Sequence, residues 1–545
     1  MNVDTDNMPH IGEHHKQCSL DETWDAIAIG SGIGGLTAAA LLARHGGKRV
    51  LVLERHYTAG GFTHTFHRPG YEWDVGVHYI GEVSDPRSPV RAAFDHLTGG
   101  RLRWNAMPDV YDRIVIGDRA YDFPSGVDRF RERMKEYFPG EAVAIDRYIE
   151  AVEAAANASS LFFAEKAIPA PVARLAGPLM RRRFLHYADR TTASVLGSLT
   201  RNRELIGVLT GQWGDYGLPP GQSSFAMHAI VARHYFGGAS YPVGGASEIA
   251  ALIAPAIQRA GGRIVVGAEV TRILTGPAGR AVGVRMADGR EFRARAVISD
   301  AGARNTYERL LDPEVATKLG VLEPLRSIPP SMSHLCLYVG LEHSGATPEI
   351  ESTNLWIYRD ADHDASVARF SADASEPFPV LFVSFPSAKD PTFCQRYPGR
   401  STIEVVAPVP YRWFERWADT RWKKRGADYD ELKQSLSRRL QDDLERHVPA
   451  VRGRIGYTEL STPLTTRHFA NYPHGEIYGL SAVPARFRLR CAGARTPLRN
   501  LYLAGADAAV PGVTGALFGG VITTSLILGR NLMPAVTRFT PARAA

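Results

Sequence analysis

Cysteine is scarce in this chain: Cys18, Cys336, Cys394 and Cys491 are the four in 545 residues, and no two stand in a C-x-x-C. That leaves no readable zinc site or disulfide framework and fits a reducing, cytoplasmic compartment. The N-terminus has no apolar signal core, and no uninterrupted apolar run reaches the length of a bilayer. A soluble or peripheral protein is expected, not a transmembrane one. Aromatic and basic residues do not interleave as they do along a nucleic-acid groove. A formal charge of +7 on this length is an ordinary solvated surplus. Residues 1–21, polar and bearing His10, His14, His15 and Cys18, read as a disordered tail without a built metal site. What is present is globular: 44% apolar and 22% charged residues, in a chain long enough for two or three domains.

One stretch organises the rest. From Asp25 to Glu54 the chain reads DAIAIGSGIGGLTAAALLARHGGKRVLVLE. An apolar strand (Asp25 to Ile29) meets a turn bearing Gly30, Gly32, Ile33, Gly34 and Gly35. A helix rich in Ala and Leu follows (Leu36 to Arg44), then a second strand ending at Glu54. In G-x-G-x-x-G, Gly30 permits the tight turn, Gly32 lets the backbone approach a pyrophosphate, and Gly35 lets the helix lie against the sheet. The helix N-terminus faces the phosphates, and Glu54 is placed to accept from a ribose 2′-OH. Glycine-rich turns are common, but these glycines between two strands, with an acid at this distance, specify an adenine dinucleotide. Arg55 and the pair Gly60-Gly61 follow, suiting close passage of backbone along an extended cofactor.

The chain then continues with a second glycine-punctuated loop, Asp74-Val75-Gly76-Val77-His78-Tyr79-Ile80-Gly81-Glu82. Short strands (Val110 to Ile116) and amphipathic stretches (Phe130 to Phe138, Ile145 to Ala155) suggest an inserted helical lobe over 101–237. Within it, apolar residues of 161–185 stand beside Arg181-Arg182-Arg183, and Pro169, Pro171 and Pro178 are expected to break any long helix. Such a segment suits peripheral membrane contact, with arginines on lipid phosphates. His228, His234, Tyr235 and Tyr241 lie in SSFAMHAIVARHYFGGASY, at spacings as consistent with core packing as with a pocket. Strands from Arg263 to Ser299 return the chain to the dinucleotide domain, and 311–484 reads as a sheet-plus-helix substrate domain. The end returns once more. Asn500 to Asp507 is a strand ending in Gly505-Ala506-Asp507, and Gly512-Val513 opens a closing helix (Leu517 to Leu528). FAD-binding folds use such a return and NAD dehydrogenases do not, so the dinucleotide is FAD.

DVGVHYIGE (74–82), SFAMHAIVARHYFGGASYPVGGASEIA (224–250), FPSAKDPTFCQRYPGRST (385–402) and 500–507 together resemble the phytoene desaturase and carotenoid isomerase group of flavoproteins, and within it the retinol saturases. The resemblance implies an α/β, Rossmann-type FAD domain of the amine oxidase kind. That domain is discontinuous over 22–100, 238–310 and 485–535, with the helical lobe and the substrate domain inserted and a tail at 536–545. It implies non-covalent FAD near Asp74, Gly76, Val270, Asp507 and Val513, with the Val270 backbone on adenine. It also implies saturation of one double bond in a hydrophobic polyene or isoprenoid substrate. Such a reaction needs one proton donor beside the flavin. His78 and Tyr79 are the first candidates, and His228, His234, Tyr235 and Tyr241 the second. No second nucleotide fingerprint is visible, so NAD(P)H would have to visit the flavin transiently if it is the electron donor. Desaturation, cis–trans isomerisation and a flavin-free isoprenoid-lipid carrier remain the rival readings.

Overall fold

The computed structural model describes residues 11–168, 170–277, 279–343 and 350–540. Strands Thr23–Ile29 and Val50–Leu53 are apolar nearly throughout and almost wholly buried, as strands with helices on both faces must be. They pair in parallel at the centre of an eight-stranded sheet. Arg263–Val266 lies outside Val50–Leu53, and Glu291–Ser299 lies beside Thr23–Ile29. Glu291–Ser299 also pairs in parallel with the returning strand Leu501–Leu503 and antiparallel with the hairpin of Val270–Gly276 and Arg280–Met286. Helix Ile33–Gly46 crosses back over this sheet and ends on Gly47, whose left-handed φ of 57° lets its N–H reach the Ala43 and Leu42 carbonyls. Leu36, Leu41 and Leu42 on this helix are fully buried. Each contributes roughly 1.5–3 kcal/mol by leaving water.

The second sheet has seven strands, in the order Ile455–Ser461, Ser333–Glu342, Arg400–Val409, Leu381–Ser384, Asn354–Tyr358, Val110–Ile116, Arg119–Pro124. Its outer hairpin therefore comes from the stretch expected to belong to the helical lobe. Helix Ala427–His447 covers one face through Tyr429, Leu436, Leu440 and Leu444. The lobe itself is built from Ala142–Ala167, Ala170–Ala188 and the shorter helices up to Phe225–Tyr235, around an aromatic core that includes Tyr148, Phe162, Phe184 and Phe225.

Three stretches differ from expectation. Helix Ala170–Ala188 runs on through Pro178. Pro171 sits in its first turn, where a missing N–H costs nothing, and Pro169 lies outside the described residues. The 11–21 part of the expected disordered tail is in place, because Glu13–His14 adds a parallel edge strand against Val265 and Val266. Likewise Val536, assigned to the C-terminal tail, is fully buried on helix Met533–Thr537. Residues 1–10 lie outside the described residues. No helix among the described residues is long and apolar enough to cross a membrane.

Candidate active site

Both sheets open onto one cavity of about 1550 Å³. Ordinary small-molecule sites occupy ~300–1,000 Å³, so this one has room for a dinucleotide and a second sizeable ligand.

The first wall is the fingerprint. Gly30 turns the chain at a φ of 95°. A Cβ on Gly32 would stand 2.5 Å from the Asp300 carboxylate, one on Gly34 2.4 Å from the Gly505 backbone nitrogen, and one on Gly35 2.5 Å from the Gly30 oxygen. The glycines thus seat the turn against the strand end at Asp300 and against the C-terminal return. Gly30, Gly32, Ile33, Gly34, Glu54, Arg55, Gly61, Gly76, Val270, Gly505, Asp507, Gly512 and Val513 all line the cavity. Glu54 accepts from Ser31 N (2.9 Å), Ser31 Oγ (2.7 Å) and His56 N (2.8 Å). A carboxylate has about four acceptor positions, so one remains for the cavity. At the closing helix Val513–Leu528, Gly512 has a φ of 89° with open space around it, and Thr514 Oγ1 is buried without a hydrogen-bond partner. Backbone-lined turns, two helix N-termini, a free carboxylate position and an orphaned hydroxyl fit FAD.

Three expected cofactor residues stand off the cavity, and a fourth works differently. Gly35 is pressed on Gly30. Gly60 N donates to Ser31 O and Oγ, each at 3.1 Å. Asp74 is buried, accepting from Tyr241 Oη–H and from Ala246 N (3.1 Å). Asp507 does line the cavity, but its oxygens accept from Ala303 N (2.8 Å) and Leu480 N (2.9 Å), so it braces backbone.

Asp300, which no sequence motif marks, belongs to this wall. Burial pushes its carboxyl up to about 7, against the Gly35 N–H, which favours the charged form. A raised acid stabilises the fold fully below its ordinary value of 3.8, and that contribution is lost as pH rises through about 7. Asp300→Asn is therefore expected to flatten the decline in urea midpoint of the flavin-free protein between about pH 4 and about pH 7. An unchanged decline would contradict the assignment.

The second wall follows from strand alternation. Register pairs Cys336 with Val406, Val406 with Phe382, Phe382 with Trp356 and Trp356 with Ile114, giving an apolar row across the sheet. One step along, Tyr338 pairs with Glu404 and Glu404 with Ser384, and Asn354 pairs with Asp112, giving a polar row on the same face. Cys336, Val406, Phe382 and Trp356 line the cavity with His334 and Pro408, whereas Glu404 lies behind.

Of the six proton-donor candidates, His78 alone lines the cavity. Its ring stands edge-on to Phe382 at 5.0 Å, where the two walls meet. Burial, with Lys389 nearby, pushes it down to about 3, so it is neutral at pH 7. Its Nδ1 is 2.8 Å from Glu404 Oε2, yet the two atoms are not aligned for a hydrogen bond and neither has another. Tyr79, the next residue of the loop, points into the core. Its hydroxyl lies 3.0 Å from Asp112 Oδ2 and 2.9 Å from Asp215 Oδ2, with the Tyr235 ring stacked on it at 4.3 Å. His228 is held by Tyr148 and Tyr216 (2.9 and 3.1 Å). His234 accepts from Gly81 N at 2.9 Å and faces Glu82, and Tyr241 is spent on Asp74. These are structural positions.

Lys389 and Glu404 carry no motif that marks them as functional, yet they stand behind His78. Lys389 Nζ donates to the His78 carbonyl (2.9 Å), Ser384 Oγ (2.8 Å) and Asn354 Oδ1. For Glu404 the available signal was a charged residue inside the apolar run IEVVAPV; FPSAKDP, with Lys389 beside Asp390, gives none.

Comparison with known proteins agrees with this geometry. The family model described as flavin containing amine oxidoreductase matches residues 33–526. The all-trans-retinol 13,14-reductase of Danio rerio is 39% identical over 94% of this chain and 87% of its own length, and that of Homo sapiens is 37% identical over the same shares. Prolycopene isomerase 1 of an Oncidium hybrid cultivar is 26% identical over 92% of this chain and 83% of its own. Among solved structures, cyclohexylamine oxidase from Brevibacterium oxydans superposes with a TM-score of 0.60 at 18% identity, covering 94% of this chain and 98% of that one, which shows the fold. The chain belongs to the flavin containing amine oxidoreductases, in the group of the all-trans-retinol 13,14-reductases.

Proposed function

We propose that the protein is an FAD-dependent oxidoreductase that saturates one carbon–carbon double bond of a conjugated hydrophobic polyene of the retinoid or carotenoid kind. The observation that carries this reading is the union, in one cavity, of the glycine fingerprint with the apolar row of the second sheet, a neutral histidine standing where they meet. The retinol reductase relatives support the direction of the reaction. The prolycopene isomerase relatives support a second reading, isomerisation without net redox change, and a desaturase would run the same site in reverse.

When bound, reduced FAD supplies hydride. Gly32, Gly34, Glu54, Gly505 and Val513 would hold it. Phe382, Trp356, Val406 and Cys336 would bind the polyene by dispersion and exclude water, fixing which carbon is presented. His78 would hold the proton for the neighbouring carbon. If NAD(P)H is the electron donor it visits the flavin transiently, since the chain has a single fingerprint and that one is taken by FAD. Anaerobically reduced protein should be reoxidised by a member of a retinoid, carotenoid and polyunsaturated-lipid panel, read as the return of flavin absorbance. Reoxidation by none would sink the reading.

A water-insoluble substrate has to be collected from somewhere. Leu161, Val172, Leu175 and Leu179 are 50–85% exposed on the two long lobe helices, beside Arg181, Arg182 and Arg183. We propose peripheral membrane contact through 161–185. Leu175→Asp with Leu179→Asp should weaken co-sedimentation with anionic phospholipid vesicles about tenfold or more. Equal binding would refute the contact.

A further inference from the structure

Behind His78, sealed from the cavity, lies a block of ionisable groups that the proposed reaction has not yet used. Asp74, Asp112 and Glu404 are at most 1% exposed, and so is the one ammonium among them, Lys389. Ionising three carboxyls beside one cation in a dry interior costs several kcal/mol per uncompensated ion, so the block must hold at least one proton. The hydrogen bonds say where. Asp112 accepts from Asn354 Nδ2 (2.9 Å), Gln212 Nε2 (2.7 Å) and Tyr79 Oη (3.0 Å). Asp74 accepts from Tyr241 and Ala246 N. Glu404 accepts only from Asp74 N, at 2.8 Å on Oε1, and its Oε2 stands bare, 2.8 Å from an equally bare His78 Nδ1.

We propose that Glu404 is the proton store of this site: with the His78 ring turned so that Nδ1 comes into line with Oε2, 2.8 Å away, Glu404 passes the proton on Oε2 to Nδ1 as His78 Nε2 releases its own proton to the substrate. The inference rests on the function proposed above. A neutral imidazole is too weak an acid to protonate carbon unaided, and burial holds His78 neutral. Supplying a proton at one nitrogen while the other gives one up removes that obstacle, because the ring changes tautomer and never carries charge. The polyene receives two electrons and one hydrogen as hydride from reduced FAD, and the second hydrogen as the proton from Nε2. One π bond breaks and two C–H bonds form. Glu404 is left as a carboxylate, its charge offset by Lys389 across the block. A solvent proton taken up at Nε2 between turnovers returns the Nδ1 proton to Glu404.

The groups facing Glu404 are Asp74, His78, Tyr241 on strand Ala239–Pro242, Cys336 and Tyr338 on strand Ser333–Glu342, and Lys389. Burial raises the Glu404 carboxyl and Lys389 opposes it. Deprotonation at alkaline pH therefore empties the store.

Glu404→Gln keeps the acceptor for Asp74 N but has no proton to transfer. Infrared difference spectra of the holoenzyme at neutral pH, wild type minus E404Q, should show a protonated-carboxyl band that shifts in D₂O. Single-turnover flavin reoxidation by all-trans-retinol should slow by roughly 10²–10⁴-fold in E404Q with flavin content unchanged. The same band should appear in wild-type spectra at neutral pH minus alkaline pH, which need no variant, and the loss of wild-type rate at alkaline pH should follow its titration. Absence of the band in the wild type, or an E404Q rate within about threefold of wild type, overturns the proposal. A wild type that carries the band but reduces no polyene contradicts the proposed function and not the store.

Discussion

Gly34→Ala is expected to give protein that retains no flavin. The new Cβ would lie 2.4 Å from Gly505 N, 2.5 Å from Gly505 Cα and 2.7 Å from Asp300 Oδ1. Two of these are backbone atoms and the third is a buried carboxylate, so no flexible side chain can yield. The closing helix cannot slide away either, because a Cβ on Gly520 would already stand 2.5 Å from the Gly34 oxygen and one on Gly519 2.4 Å from the Gly505 oxygen. Relief has to come from parting the fingerprint turn from the C-terminal return, the two segments that together make the dinucleotide wall. Overpacking of this kind costs about 1–3 kcal/mol or more. The flavin-to-protein absorbance ratio after purification should fall at least about tenfold. Gly47→Ala is the control: nothing lies within 4 Å of its Cβ, and the only penalty is the left-handed φ of 57°, about 1 kcal/mol. It should keep its flavin. Full flavin in Gly34→Ala would contradict the described seating of the turn.

The second large effect belongs to His78. His78→Gln preserves size and polarity but removes a group able to exchange protons at both ends. Single-turnover reduction of the polyene should fall by roughly 10²–10⁴-fold while flavin content is retained. Tyr79→Phe separates the two neighbours. It removes the hydroxyl shared by Asp112 and Asp215, which should destabilise the protein by about 1–3 kcal/mol through unsatisfied buried acceptors. The chemical rate should change less than about tenfold, since that hydroxyl does not reach the cavity. If both variants reduce the polyene at the wild-type rate, the proton donor lies elsewhere.

The parts legible in the sequence are those with strong local periodicity or obligatory glycines. Strands Val110–Ile116 and Arg263–Val266 stand where the apolar pattern puts them, and the fingerprint helix differs only at its ends. The dinucleotide wall was legible because backbone approach demands glycine at fixed spacing. The proton machinery was not. His78 was reached through its loop, but choosing it over Tyr79 requires knowing which side each faces, and the loop residues carry no helical or strand pattern that fixes it. Glu404 and Asp112 are 292 residues apart in the chain and are brought to one row of the second sheet, with Ser384 and Asn354 between them, by its cross-strand register. His228 and Tyr241 misled for the opposite reason: buried polar side chains satisfied by tyrosine or carboxylate partners look, in sequence, like catalytic ones. Pro178 carries the local signal of a helix breaker, yet the helix pair it belongs to is held by tertiary packing, which outweighs one lost hydrogen bond.

The most direct measurement is product mass after one anaerobic turnover of the chemically reduced holoenzyme with all-trans-retinol or a carotenoid. The account predicts a product two hydrogens heavier than the substrate, formed in step with flavin reoxidation. A product of unchanged mass, or one two hydrogens lighter, would contradict it.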